Sequence, residues 1–202
     1  MQNILVDIDD TLADTQTAML RYINQKSNQT YRLEELTREH RENTKLEYDK
    51  LAKEFMARPD LIARCAPYAD ALDAFRKLHG SGFVIHIVSS RREPLHDITL
   101  DWLREHGFAD YVTEVHPRSS KQSGREFKCL ISEKIRPVAA FDDTMEIAEA
   151  LADMNITVYL IHQPWNAGES LPPNVHRSKT FAAAVNAFLS QDRASSAPAP
   201  PN

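Results

Sequence analysis

The sequence predicts an α/β fold with a doubly wound, mainly parallel sheet of five strands and a small helical insertion. Three observations predict it. Short apolar runs alternate with segments of helical period. The runs are continuous, as strands buried on both faces require. Finally, the stretch 14–70 contains no strand-like run, so something helical interrupts the alternation.

Taken in order, the strand candidates are Asn3–Val6, residues 83–88, 111–115 and 138–141, and Thr157–Ile161. Leu72, Phe75 and Leu78 recur at near-helical spacing up to Gly80. Leu95, Ile98 and Trp102 form a second apolar face, with Pro94 near its start and Gly107 just past its end. Ile147, Leu151 and Met154 form a third behind Thr144 as a candidate N-cap. Phe181, Val185 and Phe188 mark the last helix. This strand–helix alternation is Rossmann-like.

Within the insertion, Met19, Tyr22 and Ile23 predict one helix, and Tyr48, Leu51, Ala52 and Phe55 another. The expected organisation is a core of residues 1–13 plus 71–190, a helical insertion over 14–70 above the strand ends, and an Ala/Ser/Pro-rich disordered tail over 191–202. The mixed-sign run 32–42 reads as a solvated face. Tyr22, Tyr31, Tyr48 and Phe55 read as core aromatics of the insertion rather than a platform for a base.

The bulk numbers exclude several classes. An apolar share of 42% supports a packed core. A formal charge of −5 argues against extended nucleic-acid binding, so an anionic ligand would need a cation or a few placed basic groups. There is no signal-peptide pattern and no membrane-length apolar run. Cys65 and Cys129 lack metal-type spacing and read as core thiols of a reducing compartment. The expected location is cytoplasmic; oligomeric state stays open.

Polar residues gather where the strands should end, which is where parallel sheets bind ligands. Asp7 and Asp9 follow the first strand, Ser89-Ser90-Arg91 the second, and Asp142-Asp143 the fourth; Lys128 precedes the fourth on a helical stretch. Crowded carboxylates must be protonated or hold a cation. An all-oxygen donor set favours a hard ion, Mg²⁺. A phosphoryl group held there would face a carboxylate nucleophile, with a second acid one step along for proton transfer.

These residues carry a resemblance. Asp7-Ile8-Asp9-Asp10-Thr11-Leu12, Ser89, Lys128 and Asp142-Asp143 resemble, in order, the four motifs of the haloacid dehalogenase (HAD) superfamily of phosphohydrolases. The resemblance implies Asp7 as nucleophile and metal ligand. It implies Asp9 as general acid/base and backbone ligand, and Asp143 as metal ligand supported by Asp142. Thr11, Ser89, Ser90 and Lys128 would bind phosphate, with Lys121 or Lys134 as alternatives to Lys128 and Arg91 as a candidate substrate contact. Arg91 and Arg92 could equally be surface charges. Asp10 and Ser89 depart from the commoner Gly and Thr.

An insertion directly after the first motif is similar to a C1 cap, as in the 5′(3′)-deoxyribonucleotidases. The Gln163-Pro164-Trp165-Asn166 run also resembles that family. The expectation is a Mg²⁺-dependent phosphomonoesterase acting on a small phosphomonoester, a nucleotide, through an aspartyl-phosphate on Asp7. Two alternatives stay open: a polynucleotide 3′-phosphatase, to which Ser90–Glu93 is similar, and a non-catalytic metal-binding regulatory module. His86 reads as a hydrogen-bonded core histidine; His116 and His162 read as incidental.

Overall fold

The computed structural model describes residues 1–27, 29–37, 45–119, 121–168 and 170–196. Its strands are β1 (Asn3–Val6), β2 (Val84–Arg92), β3 (Glu114–Arg118), β4 (Ala139–Asp142), β5 (Thr157–Ile161) and β6 (Val175–Ser178). They form one sheet in the order β3-β2-β1-β4-β5-β6, and every neighbouring pair is parallel. The α-helices among the described residues are α1 (Thr15–Lys26), α2 (Lys45–Met56), α3 (Pro59–Ile62), α4 (Ala71–Gly80), α5 (His96–Glu105), α6 (Gly124–Ile135), α7 (Met145–Asp153) and α8 (Phe181–Ser196).

Both faces of the sheet are covered, which is why its strands read as unbroken apolar runs. Ile4, Val6, Ile85, Ile87, Phe141 and Tyr159 pack on one side with Phe75 of α4 and Phe181 of α8. Leu5, Val88, Ala140, Val158 and Leu160 pack on the other with Phe127 of α6 and Leu151 of α7. Alternate residues therefore feed opposite cores. The chain runs outward from β1 in both directions, so the switch point lies at β1 and its neighbour β4.

Four expectations need correction. The sheet has six strands, not five: β6 carries a single buried apolar residue, Val175, and too little hydrophobic pattern to read as a strand. The second strand does not stop at Val88 but runs on to Arg92, with a register irregularity against β3 between Val88 and Arg92. The third strand is Glu114–Arg118 rather than 111–115, because Ala109–Tyr111 forms a 3-10 turn and Tyr111 and Val112 pack against the apolar core instead. The tail begins later than residue 191. Residues up to Ser196 continue α8, where Gln191 accepts a hydrogen bond from Tyr159 at 2.8 Å; residues 197–202 lie outside the described residues.

The regular elements described within 14–70 are α1, α2, α3 and a 3-10 turn at Leu33–Glu35, and the two stems of the stretch are laced together. The Asp14 N–H donates to the Ala66 carbonyl and the Tyr68 N–H to that of Leu12, both at 2.8 Å. Tyr22 packs on Phe55 and Tyr31 edge-on to Tyr48, all buried. That apolar cluster continues through Ile8, Leu12 and Ile62 to Phe75 without a break. In the charged run, Arg32, Glu34 and Glu35 are exposed and Leu36 is buried, while 38–42 lie outside the described residues. Cys65 is buried and Cys129 half-buried, and both thiols are free. No helix among the described residues is long and apolar enough to cross a membrane.

Candidate active site

The centre of the site is built by the turn that follows β1. The Asp7 N–H still donates to Phe141 of β4 at 3.0 Å, so Asp7 is fixed beside the end of β4. The chain then folds back, with the N–H groups of Thr11, Leu12 and Ala13 all donating to the Ile8 carbonyl at 2.8–3.2 Å. Asp10 makes this possible by adopting a left-handed conformation, φ 58°. Aspartate tolerates that region better than most residues, which explains how it stands where glycine is commoner. Its carboxylate also accepts the Gln16 N–H at 2.8 Å, in the first turn of α1.

Helix α6 supplies the cation. Ser123 and Glu126 form a capping box at its start, Ser123 Oγ accepting from the Glu126 N–H at 3.1 Å and Glu126 from the Ser123 N–H at 2.8 Å. Lys128 follows on the buried face and lies between two carboxylates. Its Nζ donates to Asp142 Oδ2 at 2.6 Å and stands 2.9 Å from Asp7 Oδ1. The second contact is within ion-pair reach but off the line of a hydrogen bond, so this Asp7 oxygen is buried without a donor. Lys121 and Lys134 are exposed.

Asp142 and Asp143 sit on either side of the end of β4. Asp142 Oδ1 accepts the Thr144 N–H at 2.9 Å at the start of α7, where Thr144 makes no side-chain cap of its own. Asp143 Oδ2 accepts the Trp165 indole N–H at 2.9 Å, and Asn166 donates to the Asp143 carbonyl at 2.7 Å. Gln163 donates to the Asp10 carbonyl at 3.0 Å and to Tyr68 at 3.3 Å. The Gln-Pro-Trp-Asn run thus ties the β5 end to both acidic turns. The run is visible in the sequence, but the contacts of Trp165 and Asn166 with Asp143 appear only in the fold.

The second carboxylate of the first turn has a different environment. Arg91 grips Asp9 bidentately, Nη2 at 2.8 Å from Oδ1 and Nε at 3.0 Å from Oδ2, and Thr15 donates to Oδ1 at 2.6 Å. Arg91 is itself buried, donates to Thr99, and lies against the Trp102 ring. It is therefore no surface charge, whereas Arg92 is exposed. Ser89 is buried and its Oγ accepts the Arg91 N–H at 3.2 Å. Ser90 faces the start of α6, where its Oγ lies 2.3 Å from the point a Cβ on Gly124 would occupy. Only glycine permits this approach. Arg118 donates to the Ser90 carbonyl at 2.7 Å. Thr11 is fully buried with its hydroxyl unpartnered.

Charge balance follows from these contacts. Burial, with Asp142 and Asp9 adding to it, outweighs Lys128 and pushes the Asp7 carboxyl up to about 7. Burial and the neighbours Asp142, Asp10 and Asp7 push Asp143 well above the carboxylate range. Asp9 goes the other way: burial opposes ionisation, but the Arg91 charge and hydrogen bonds and the Thr15 hydroxyl hold it below the usual value. Burial alone would lower Lys128, yet Asp142 and Asp7 keep it above its ordinary value. One carboxylate oxygen from each of Asp7, Asp142 and Asp143 lies within 4.8 Å of the other two. Three acids against one lysine, one acid oxygen without a donor, and oxygen donors throughout fit a hard divalent cation.

Asp7 binds a proton more tightly folded than unfolded, so its contribution to stability is greatest below about pH 4 and is lost as pH rises through about 7. In EDTA, wild type should lose stability relative to Asp7→Asn between pH 5 and pH 7, on the order of 2 kcal/mol. Paired thermal melts check this; a difference constant with pH would contradict it.

The family model "5′ nucleotidase, deoxy (Pyrimidine), cytosolic type C protein" matches residues 1–127, a span that includes Asp7, Asp9, Thr11 and Ser89 and ends just before Lys128. No curated protein matches. Among solved structures, the chain is similar to a haloacid dehalogenase-like hydrolase from Streptococcus pneumoniae (TM-score 0.63, 13% identity, 94% of this chain and 98% of that one). It is similar to a HAD phosphatase from Thermococcus onnurineus (0.59, 13%, 93% and 98%) and to protein tyrosine kinase A from Mycobacterium tuberculosis (0.67, 15%, 93% and 97%). At such identities these likenesses speak for the fold alone. With more than half of its length matched by one family model, the chain belongs to the deoxy (pyrimidine) cytosolic type C 5′-nucleotidase family, and it is an enzyme of the HAD-like phosphatase kind.

Proposed function

We propose that the protein is a Mg²⁺-dependent phosphomonoesterase acting on deoxynucleoside monophosphates through an aspartyl-phosphate on Asp7. The observation that carries this reading is the buried Asp7 carboxylate at the end of the central strand, held by Lys128 beside Asp142 and Asp143. The description of the matching family model supports this substrate class. Residues 14–70 would act as the cap over the site.

In the first half-reaction an Asp7 oxygen bonds to phosphorus and the ester P–O bond breaks, with a proton passing from Asp9 to the departing oxygen. In the second, water attacks phosphorus, its proton goes to Asp9, and the Asp7–phosphorus bond breaks. The Arg91 grip keeps Asp9 ionised, which suits the second half; the first requires that grip to loosen when substrate binds. Lys128, Ser89, Ser90 and the α6 N-terminus would hold phosphate oxygens. Asp7, Asp143 with Asp142, and the Asp9 carbonyl would hold Mg²⁺, which supplies positive charge to the phosphoryl group.

The test is phosphate release from deoxynucleoside 5′- and 3′-monophosphates, sugar phosphates and a 3′-phosphorylated oligonucleotide, with Asp7→Asn as blank. Preferred turnover of the mononucleotides is expected; preferred turnover of the oligonucleotide, or turnover undiminished in the blank, refutes the reading. Trp165→Phe keeps an aromatic ring but removes the donor to Asp143 Oδ2. Groups that orient a metal ligand matter to affinity, so the Mg²⁺ needed for half-maximal activity should rise about tenfold. A Mg²⁺ titration of the variant measures it.

A further inference from the structure

A second group of potential ligands lies away from the phosphate site, on the outer edge of the sheet. His86 of β2 pairs in register with Glu114 of β3, and Val88 with His116. The side chains of His86, Glu114 and His116 converge on one point. His86 Nδ1 and His116 Nε2 are 3.1 Å apart, Glu114 Oε2 is 3.8 Å from the former and 3.6 Å from the latter. The point in their plane equidistant from all three atoms lies about 2 Å from each, the bond length of zinc to imidazole nitrogen and carboxylate oxygen.

We propose that His86, Glu114 and His116 form a binding site for a divalent transition-metal cation of the Zn²⁺ class, separate from the hard-cation site at Asp7. Two further features support it. The other ring nitrogen of His86, Nε2, lies 3.4 Å from Asn3 Oδ1, and the Asn3 amide nitrogen in turn donates to the Ile135 carbonyl. That chain sets the amide orientation, assigns the His86 proton to Nε2 and leaves Nδ1 with its lone pair facing the other two ligands, as in metal sites whose histidines are oriented by an outer partner. Both rings are held on adjacent strands and are largely buried, while Glu114 is exposed. The site therefore opens to solvent on one side, where water completes a four-coordinate ion. Burial also disfavours protonation of either imidazole. Without a metal, His116 Nε2–H would donate to His86 Nδ1, so the ligands stay clustered. Lys134 bears on His116 and works against a bound cation.

A nitrogen-containing donor set prefers borderline ions to Mg²⁺, and this gives the test. Purified full-length protein is saturated with Mg²⁺ and titrated with Co²⁺, whose four-coordinate form has an intense visible absorption. The expected result is that band at one equivalent, displaced by Zn²⁺, retained in Asp7→Asn, lost in His116→Ala and weakened at least tenfold in affinity in Glu114→Gln. Zn²⁺ should also raise the Tm of wild type but not of His116→Ala. Absence of the band in wild type, its persistence in His116→Ala, or its loss in Asp7→Asn alone would overturn the site. Glu114→Gln changes an exposed group, so misfolding does not obscure the outcome. Since none of these readouts uses phosphatase activity, failure here leaves the proposed reaction standing, and the reverse also holds.

Discussion

Asp7→Asn is expected to lower phosphomonoester turnover by on the order of 10⁴-fold or more while leaving the protein folded. The first half of that expectation follows from the loss of the proposed nucleophile, for which an amide oxygen is a poor substitute. The second follows from the local charge balance. Lys128 lies between two carboxylates, so removing the charge of Asp7 leaves it bonded to Asp142 Oδ2 at 2.6 Å. The substitution also removes one member of a crowded acidic group. Steady-state phosphate release and a thermal melt on the same preparation check both halves. Retained turnover would dismiss Asp7 as nucleophile; lost turnover with lost folding would leave the chemistry undecided and contradict the charge argument.

Lys128→Met should have the largest effect on stability, a loss of about 3–5 kcal/mol in metal-free protein. Lys128 is fully buried, and its removal strands Asp7 and Asp142 without the only cation that pairs with them among the described residues. Methionine fills much of the lysine stem's volume, so the loss reports charge rather than a cavity. Two buried acids then hold either protons or a metal. Mg²⁺ should consequently raise the Tm of Lys128→Met more than that of wild type, and a higher pH should destabilise the variant further. Denaturant unfolding with and without Mg²⁺ measures this. A cost below about 1 kcal/mol would mean that Lys128 is not the principal counter-ion of the cluster.

Much of the fold was legible because it depends on periodic burial. β1, β5 and the faces of α4, α5 and α7 appear in the chain as apolar runs or helical spacings, and they pack accordingly. The misses share a cause. β6 and the ends of β2 and β3 are polar or short, and they are strands because neighbours supply hydrogen-bond partners, not because their own residues demand it. Tyr111 and Val112 read as strand but are taken into the apolar core from a 3-10 turn. Likewise the last helix runs past residue 191 through residues that show little apolar pattern.

The acidic turn after β1 was visible in one stretch, Asp7 to Leu12, since its residues are adjacent and their types are specific. Its electrostatics were not visible. Asp9 and Arg91 are 82 residues apart, and Asp143 and Trp165 22 apart, yet each pair is in direct contact. The same holds for His86 and His116, unremarkable as separate residues and 3.1 Å apart once β2 and β3 align. By itself the sequence determined which chemical groups the strand ends carry, acids, hydroxyls and one arginine, with one lysine on the helix before the fourth strand. Only the tertiary structure decided which acid is left with a raised pKa and which is held ionised, because proton affinity depends on burial and on neighbours brought together from distant parts of the chain.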